Sequence, residues 1–249
     1  METIWDYSDR AYTYDKRADY SDAALSQLIE KTIASRQFPI ADIGAGTGKL
    51  TKVLLRTPLR VYAIEPNINM RSIGIKNTIG QNVIWKDGVG ETTGLPENSF
   101  QAAFFGSSFN VVDQTKTLEE VKRILIPNGW FGCMWNHRDL NDKLQKRIEQ
   151  IIHEFIPGFD YGNRRQDPTD TIIKSGYFKR VEKIEERFIV PMQATDIIDA
   201  WKSHDTLFRQ SGKSFNKIID AISNELILDT YEVPYFTRIW FSQILCGAK

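Results

Sequence analysis

Apolar residues in the first half of this chain alternate between short continuous runs and stripes at helical spacing, a rhythm that predicts buried strands separated by amphipathic helices. Ser21-Asp22 followed by Ala24, Leu25, Leu28, Ile29 and Ile33 reads as a capped helix with one apolar face. Pro39 to Ile43 and Leu59 to Ile64 read as buried strands, residues 67–76 as a short helix, Val83 to Lys86 as a third strand and Ala102 to Phe105 as a fourth. Thr117-Leu-Glu-Glu120 has the spacing of a capping box and is expected to open the next helix, after which Trp130 to Trp135 supplies a fifth strand. Strands and helices in strict turn argue for a parallel sheet, with ligands at the carboxyl ends of its strands.

Beyond Asp139 the rhythm loosens. Leu140, Leu144, Ile148, Ile151, Ile152 and Phe155 make a helix stripe, residues 157–168 read as a loop, and Phe178 to Val190 alternates as a long sixth strand. A charged and aromatic helical region follows from Thr195 to about Asp229, and Tyr235 to Ile244 closes the chain as a last strand. The aromatic residues Phe155, Phe159, Tyr161, Trp201, Phe208 and Phe215 fall in these later segments. At helical spacing they are core residues first, and walls for an apolar or planar ligand second.

Composition narrows the partners. Lysine plus arginine and aspartate plus glutamate both number 32, so no overall positive field draws the chain to nucleic acid or an anionic membrane, and neither is expected as a partner. Cys133 and Cys246 carry no metal spacing and suggest no disulfide framework, which makes the cytoplasm the expected location and a metal unexpected. No run approaches the ~18 apolar residues of a membrane span, and the first residues lack the basic and apolar blocks of a signal peptide.

The chemistry begins where the first strand ends. Asp42, Gly44, Gly46 and Gly48 form D-x-G-x-G-x-G, a turn whose backbone can lie against a ligand because no Cβ stands in the way. A dinucleotide fingerprint needs G-x-G-x-x-G, but Lys49 stands three residues after Gly46. A P-loop needs G-x-x-x-x-G-K-[ST], but Ile43 and Leu50 occupy its first glycine and its hydroxyl position. Glu65 ends the second strand about 20 residues after the glycines, where a carboxylate accepts hydrogen bonds from a ribose diol. Together they suit adenosine without a diphosphate.

That combination resembles the class I S-adenosylmethionine-dependent methyltransferases. Gly88-Val-Gly-Glu-Thr-Thr-Gly-Leu-Pro96 is similar to the family's G-x-A-E-x-x-x-L-P segment, Val121-Lys-Arg-Ile-Leu-Ile-Pro-Asn-Gly129 to its R-V-L-x-P-G-G turn, and Trp135-Asn-His-Arg-Asp139 to its W-N-x-R-D strand ending. The closest group is the type 11 small-molecule methyltransferases, including trans-aconitate methyltransferase-like proteins, whose Tyr-x-x-x-Arg-x-x-Tyr signature has a counterpart in Tyr14, Arg17 and Tyr20, although these three are not at that spacing.

The resemblance implies a Rossmann-like α/β fold with a seven-stranded, mostly parallel sheet, helices on both faces, a helical lid and a final antiparallel strand. Residues 1–36 would form an N-terminal cap and helix, 37–139 the cofactor-binding core, 140–175 and 192–230 the acceptor lid, and 176–191 with 231–249 the final strands of one domain. It implies transfer of a methyl group from S-adenosylmethionine to O, N or C of a small-molecule acceptor by a monomer or weak homodimer. Gly44, Ala45 and Gly46 would touch the amino acid part of the cofactor, with Asp42 orienting the loop, Glu65 holding the ribose, and Tyr14 and Arg17 capping the carboxylate. Pro66, Asn67, Met70, Val89, Gly90 and Glu91 would border the adenine; Val89 stands where many relatives have aspartate.

Ser107 opens the stretch Ser107 to Asp113, which aligns with A-x-A-F-H-W-F-D in the relatives and places Asn110 at their histidine. Ser107 is assigned to the cofactor side and Asn110 to the acceptor. A base is needed only if the acceptor must lose a proton, and His137 is the first candidate, His204 the second. A non-catalytic S-adenosylmethionine-binding protein and a nicotinamide-dependent oxidoreductase are the alternatives.

Overall fold

The computed structural model describes residues 17–33 and 37–245. Strands β1 (Ile40–Ile43), β2 (Val61–Ile64), β3 (Val83–Lys86), β4 (Phe100–Gly106), β5 (Leu125–Arg138), β6 (Glu182–Gln193) and β7 (Thr230–Gln243) form one sheet in the order β3-β2-β1-β4-β5-β7-β6. The pairs from β3 through β5 are parallel, and β7 runs antiparallel to both β5 and β6. This is the seven-stranded, mostly parallel Rossmann-like sheet expected. From β1 the chain moves outward to β2 and then returns to β4 on the other side, so the strand order reverses beside β1 and opens a crevice at its carboxyl end.

Both faces of the sheet are covered. Helices α1 (Asp22–Thr32) and α2 (Lys49–Leu54) bury Leu25, Leu28, Leu50 and Leu54 against one face, with Phe104, Met134 and Phe241. Helix α3 (Ile68–Asn77) follows β2 and is capped by Asn67, whose side-chain oxygen accepts from Asn69 and Met70. The other face holds Phe105, Phe109, Phe131 and Trp135 beneath α4 (Gln114–Ile124), which contributes Leu118, Val121 and Ile124. Every residue of β1 is buried, as a central parallel strand between two helix layers requires.

Helix α4 starts three residues before the expected capping box. Its cap is Asp113, which accepts from the Lys116 N–H at 3.2 Å. Glu120 cannot reach back to the helix start, because it accepts from the backbone and hydroxyl of Thr93 and pairs with Arg123 at 2.7 Å.

Helices α5 (Lys143–Phe155), α7 (Ala194–Lys202), α8 (Asp205–Ser211) and α9 (Phe215–Glu225) build a third core with Ile148, Ile152, Trp201 and Ile218. The last pair of β5 with β7 is Arg138 with Tyr235, while β6 and β7 stay paired out to Gln193 and Thr230. Their extension past the carboxyl end of β5 carries this core, with Met192, Val233 and Tyr235 packed into it. Helix α6 (Thr169–Lys174) differs from its neighbours in sequence, since Ile172 packs into the sheet core under β5.

Three strands begin well away from the sequence expectation, the first being β5, which starts at Leu125 rather than Trp130. β6 begins at Glu182 rather than Phe178, which is buried and bridges Ile244, and β7 begins at Thr230 rather than Tyr235. β6 is an edge strand with one solvated face, and it accommodates Pro191 where a central strand would not.

Candidate functional site

The glycine loop leaves β1 at Ile43. Gly44 has φ +69°, and a Cβ there would lie 2.4 Å from the Ser108 Cβ, so both its conformation and its space exclude a side chain. The Gly44 and Ala45 N–H groups both donate to the Ile64 carbonyl, at 2.8 and 3.0 Å. Gly46 N–H donates to Glu65 Oε2 at 2.8 Å, and Asn67 N–H donates to Glu65 Oε1 at 2.8 Å. One buried carboxylate therefore ties the loop to the start of α3. Burial raises the Glu65 pKa, and the two N–H groups and Arg71 oppose that rise. Each Glu65 oxygen keeps a lone pair for a further donor.

Asp42 lies beneath the loop, fully buried. Its Oδ2 accepts from the Thr51 hydroxyl at 2.6 Å, while its Oδ1 has no partner among the described residues. Burial pushes this carboxyl up to about 7, the Thr51 bond opposes the shift, and the Glu65 charge adds to it. An orphaned buried oxygen beside a glycine-rich loop fits a ligand that brings its own donor.

Two clefts meet here. The first is lined by the loop itself with Asp42, Thr47 and Leu50, and the second lies under the third core. Tyr20 and Lys49 line both. The Tyr20 and Ser107 hydroxyls are 2.9 Å apart, and Ser107 sits at φ +61°, just past β4.

Of the expected cofactor-side residues, the structure gathers Asp42, Gly44, Ala45 and Gly46 around the first cleft. Arg17 and Ser107 line the second. Arg17 reaches across to the third core, donating to the Ser203 hydroxyl at 2.9 Å and to its carbonyl. Tyr14 lies outside the described residues. Met70 approaches Gly46, with its Cε 3.3 Å from where a Cβ would stand. The Pro66 carbonyl accepts from Arg71 at 3.3 Å. Val89 is bridged to Thr92, a Cβ on Gly90 would press on Thr117 and Val112 at 3.0 Å, and Glu91 accepts from the Asp113 N–H at 2.6 Å. None of Glu65, Pro66, Met70, Val89, Gly90 or Glu91 is among the residues lining either cleft.

The two expected catalytic residues separate. His137, on β5 and 5% exposed, lines the second cleft, with Nδ1 3.5 Å from Arg238. Asn110 is buried outside both clefts, and its Oδ1 accepts from the Trp135 indole at 2.8 Å. His204 also lines the second cleft, but its Nδ1 accepts from the Leu207 N–H at 3.2 Å and so caps α8.

Sequence reasoning passed over Lys49, Arg138 and Arg165 in the second cleft. Arg138 lies within the W-N-x-R-D-like strand ending, the one signal that pointed to it. Tyr161 and Tyr235 form aromatic walls there, while Phe155 and Phe208 face solvent and Phe159 and Trp201 are buried in the third core. Among the described residues no group of three His, Cys, Asp or Glu side chains could hold a metal, and no helix is long and apolar enough to cross a membrane.

Residues 41–133 match the family model described as "Methyltransferase domain". An uncharacterized methyltransferase of Mycobacterium tuberculosis is 34% identical over 136 residues, covering 55% of this chain and 54% of that protein. The chain spans about half the length of the curated relatives it matches first. Phosphoethanolamine N-methyltransferase 2 of Haemonchus contortus, solved with S-adenosyl-L-methionine, superposes with a TM-score of 0.55 at 14% identity, covering 95% of this chain and 57% of that one. The [4+2]-cyclase SpnF superposes with a TM-score of 0.55 at 15% identity, covering 94% and 86%. These two likenesses are of fold. The family match lies over residues 41–133, the stretch that holds the glycine loop and Glu65.

Proposed function

We propose that this chain transfers a methyl group from S-adenosylmethionine to O, N or C of a small-molecule acceptor. The observation that carries the reading is the bond pair from Gly46 and Asn67 to Glu65, which fixes a glycine-rich loop against a carboxylate with lone pairs to spare. Glu65 would take the ribose hydroxyls, Gly44 to Gly46 would admit the amino acid part, and the orphaned Asp42 Oδ1 would take a donor from the ligand. Met70, whose Cε approaches Gly46, and Pro66, next to Glu65 in the chain, would border the adenine. Val89, Gly90 and Glu91 fit a supporting role in the adenine wall.

The bound cofactor supplies an electrophilic methyl on a sulfonium sulfur. The protein holds the acceptor in line and keeps water out, a positioning effect that can supply much of ~7–11 kcal/mol. Tyr20 and Lys49, shared by the two clefts, mark where donor and acceptor would meet. His137 would take a proton from an acceptor that must lose one. Asn110 acts on this reading by holding Trp135 and not by touching the acceptor. The helices of the third core, with Arg17 bonded to Ser203, serve as the lid.

The test is a radiolabelled methyl-transfer screen over small acceptors, alongside binding of S-adenosylhomocysteine and of NAD. Binding of S-adenosylhomocysteine without NAD, and label transferred to at least one acceptor, is expected. Binding of NAD alone would replace this reading with an oxidoreductase, and binding of S-adenosylhomocysteine with no label transferred to any acceptor would leave a cofactor-binding protein.

A further inference from the structure

The second cleft is cationic. Arg17, Lys49, Arg138 and Arg165 line it with His137 and His204, and among the described residues no carboxylate side chain does. Lys49 pairs with Asp19 at 2.7 Å and Arg17 is bonded to Ser203. Arg138 and Arg165 differ from these: among the described residues neither forms an ion pair. Each guanidinium lies over an aromatic ring. The Arg138 guanidinium carbon is 4.2 Å from the Trp201 ring centroid and 5.9 Å from that of Tyr235, and that of Arg165 is 4.4 Å from the Tyr161 centroid.

A carboxylate or phosphate pairs with guanidinium N–H groups, and an aromatic ring beside the cation does not replace such an acceptor. Arg165 uses one N–H on the Arg138 carbonyl at 3.3 Å. The nearby carboxylates are committed elsewhere. Asp139 accepts from Arg187 at 3.0 Å, Glu185 pairs with Arg238, and Asp142 caps α5. Glu149 exerts a field on Arg165 without pairing with it. Burial, with the charges of Arg238 and Arg138, lowers the Arg165 pKa, a strain that a bound anion relieves.

We propose that Arg138 and Arg165 form an anion clamp in the second cleft, and that the acceptor carries a carboxylate or phosphate held by it. Calling that molecule an acceptor rests on the methyltransferase reading; the clamp does not. Tyr161 and Tyr235 flank the anion and suit an acceptor with an apolar or planar body. The remainder of the molecule points to Tyr20 and Lys49, where the clefts meet.

Calorimetric titration of the full chain at low ionic strength tests this, with succinate, inorganic phosphate and the neutral dimethyl succinate as probes, each with and without saturating S-adenosylhomocysteine. At least one anion binds at least ~10-fold more tightly than the diester, succinate marking a carboxylate acceptor and phosphate a phosphate ester. The double variant Arg138→Gln, Arg165→Gln loses at least ~10-fold in affinity for that anion and keeps its affinity for S-adenosylhomocysteine. Arg147→Gln, which removes an exposed ion pair with Glu225, changes neither. Anions binding no better than the diester, or equally well to the double variant, overturn the clamp. Should the double variant fail to fold, Arg138→Lys with Arg165→Lys keeps the charges while losing the planar fork, and the comparison of wild-type probes decides by itself. A wild-type chain that binds the anion and not S-adenosylhomocysteine would instead remove the methyltransferase reading.

Discussion

The Trp135 indole N–H donates to the side-chain carbonyl of Asn110 at 2.8 Å, with both residues buried between the sheet and α4. The pair joins the end of β5 to the loop after β4 that leads into α4. Asn110→Ala leaves a buried N–H without an acceptor, so it should cost about 1–3 kcal/mol of stability with S-adenosylhomocysteine affinity unchanged. Urea unfolding checks the first and calorimetry the second. Wild-type stability combined with lost turnover would return Asn110 to a role at the acceptor.

Glu65 holds two backbone donors, so its removal should disorder the glycine loop as well as remove a ribose contact. Glu65→Ala is expected to weaken S-adenosylhomocysteine binding by at least ~10-fold, with Glu65→Gln between it and the wild type because one amide N–H must face a backbone donor. An unchanged dissociation constant in both variants contradicts this.

Asp42 should give stability a definite pH dependence. Its carboxyl is pushed up to about 7 in the folded chain, above the ordinary value near about 4. Between those values the folded state holds a proton that the unfolded chain has released, so this contribution is fully present below about pH 4 and is lost as pH rises through about 7. Glu65, also raised by burial, acts with the same sign. Asp42→Asn removes the Asp42 part, so the variant should gain on the wild type between about pH 5 and about pH 8. Urea midpoints at the two pH values measure it, and a difference that does not move with pH refutes it.

His137 is the histidine of the second cleft whose ring does not cap a helix, unlike His204. For an acceptor that must lose a proton, His137→Ala should lower kcat by ~10²-fold while leaving the affinity for S-adenosylhomocysteine intact. Steady-state kinetics with unchanged kcat would exclude it as a base.

The core of the fold is legible in the sequence because local pattern and tertiary role coincide there. β1 is a continuous apolar run that ends in glycines, and Glu65 follows a second such run. The third core is harder to read: β6 alternates as an edge strand around Pro191, and the roles of Arg138 and Arg165 depend on Trp201, Tyr235 and Tyr161, rings far off in the chain. In the sequence Asn110 and His204 stand out as candidates for chemistry because they are polar and near a site. The Asn110 oxygen accepts from Trp135 and the His204 Nδ1 from the Leu207 N–H, partners that only the folded chain reveals.

The most direct measurement is calorimetric titration of S-adenosylhomocysteine into the wild-type chain and into Glu65→Ala, with NAD as the competitor ligand. Saturable one-to-one binding of S-adenosylhomocysteine, weakened in the variant and not matched by NAD, is the predicted result. Heat from NAD alone, or equal binding of S-adenosylhomocysteine to both proteins, would contradict a donor site built from the glycine loop and Glu65.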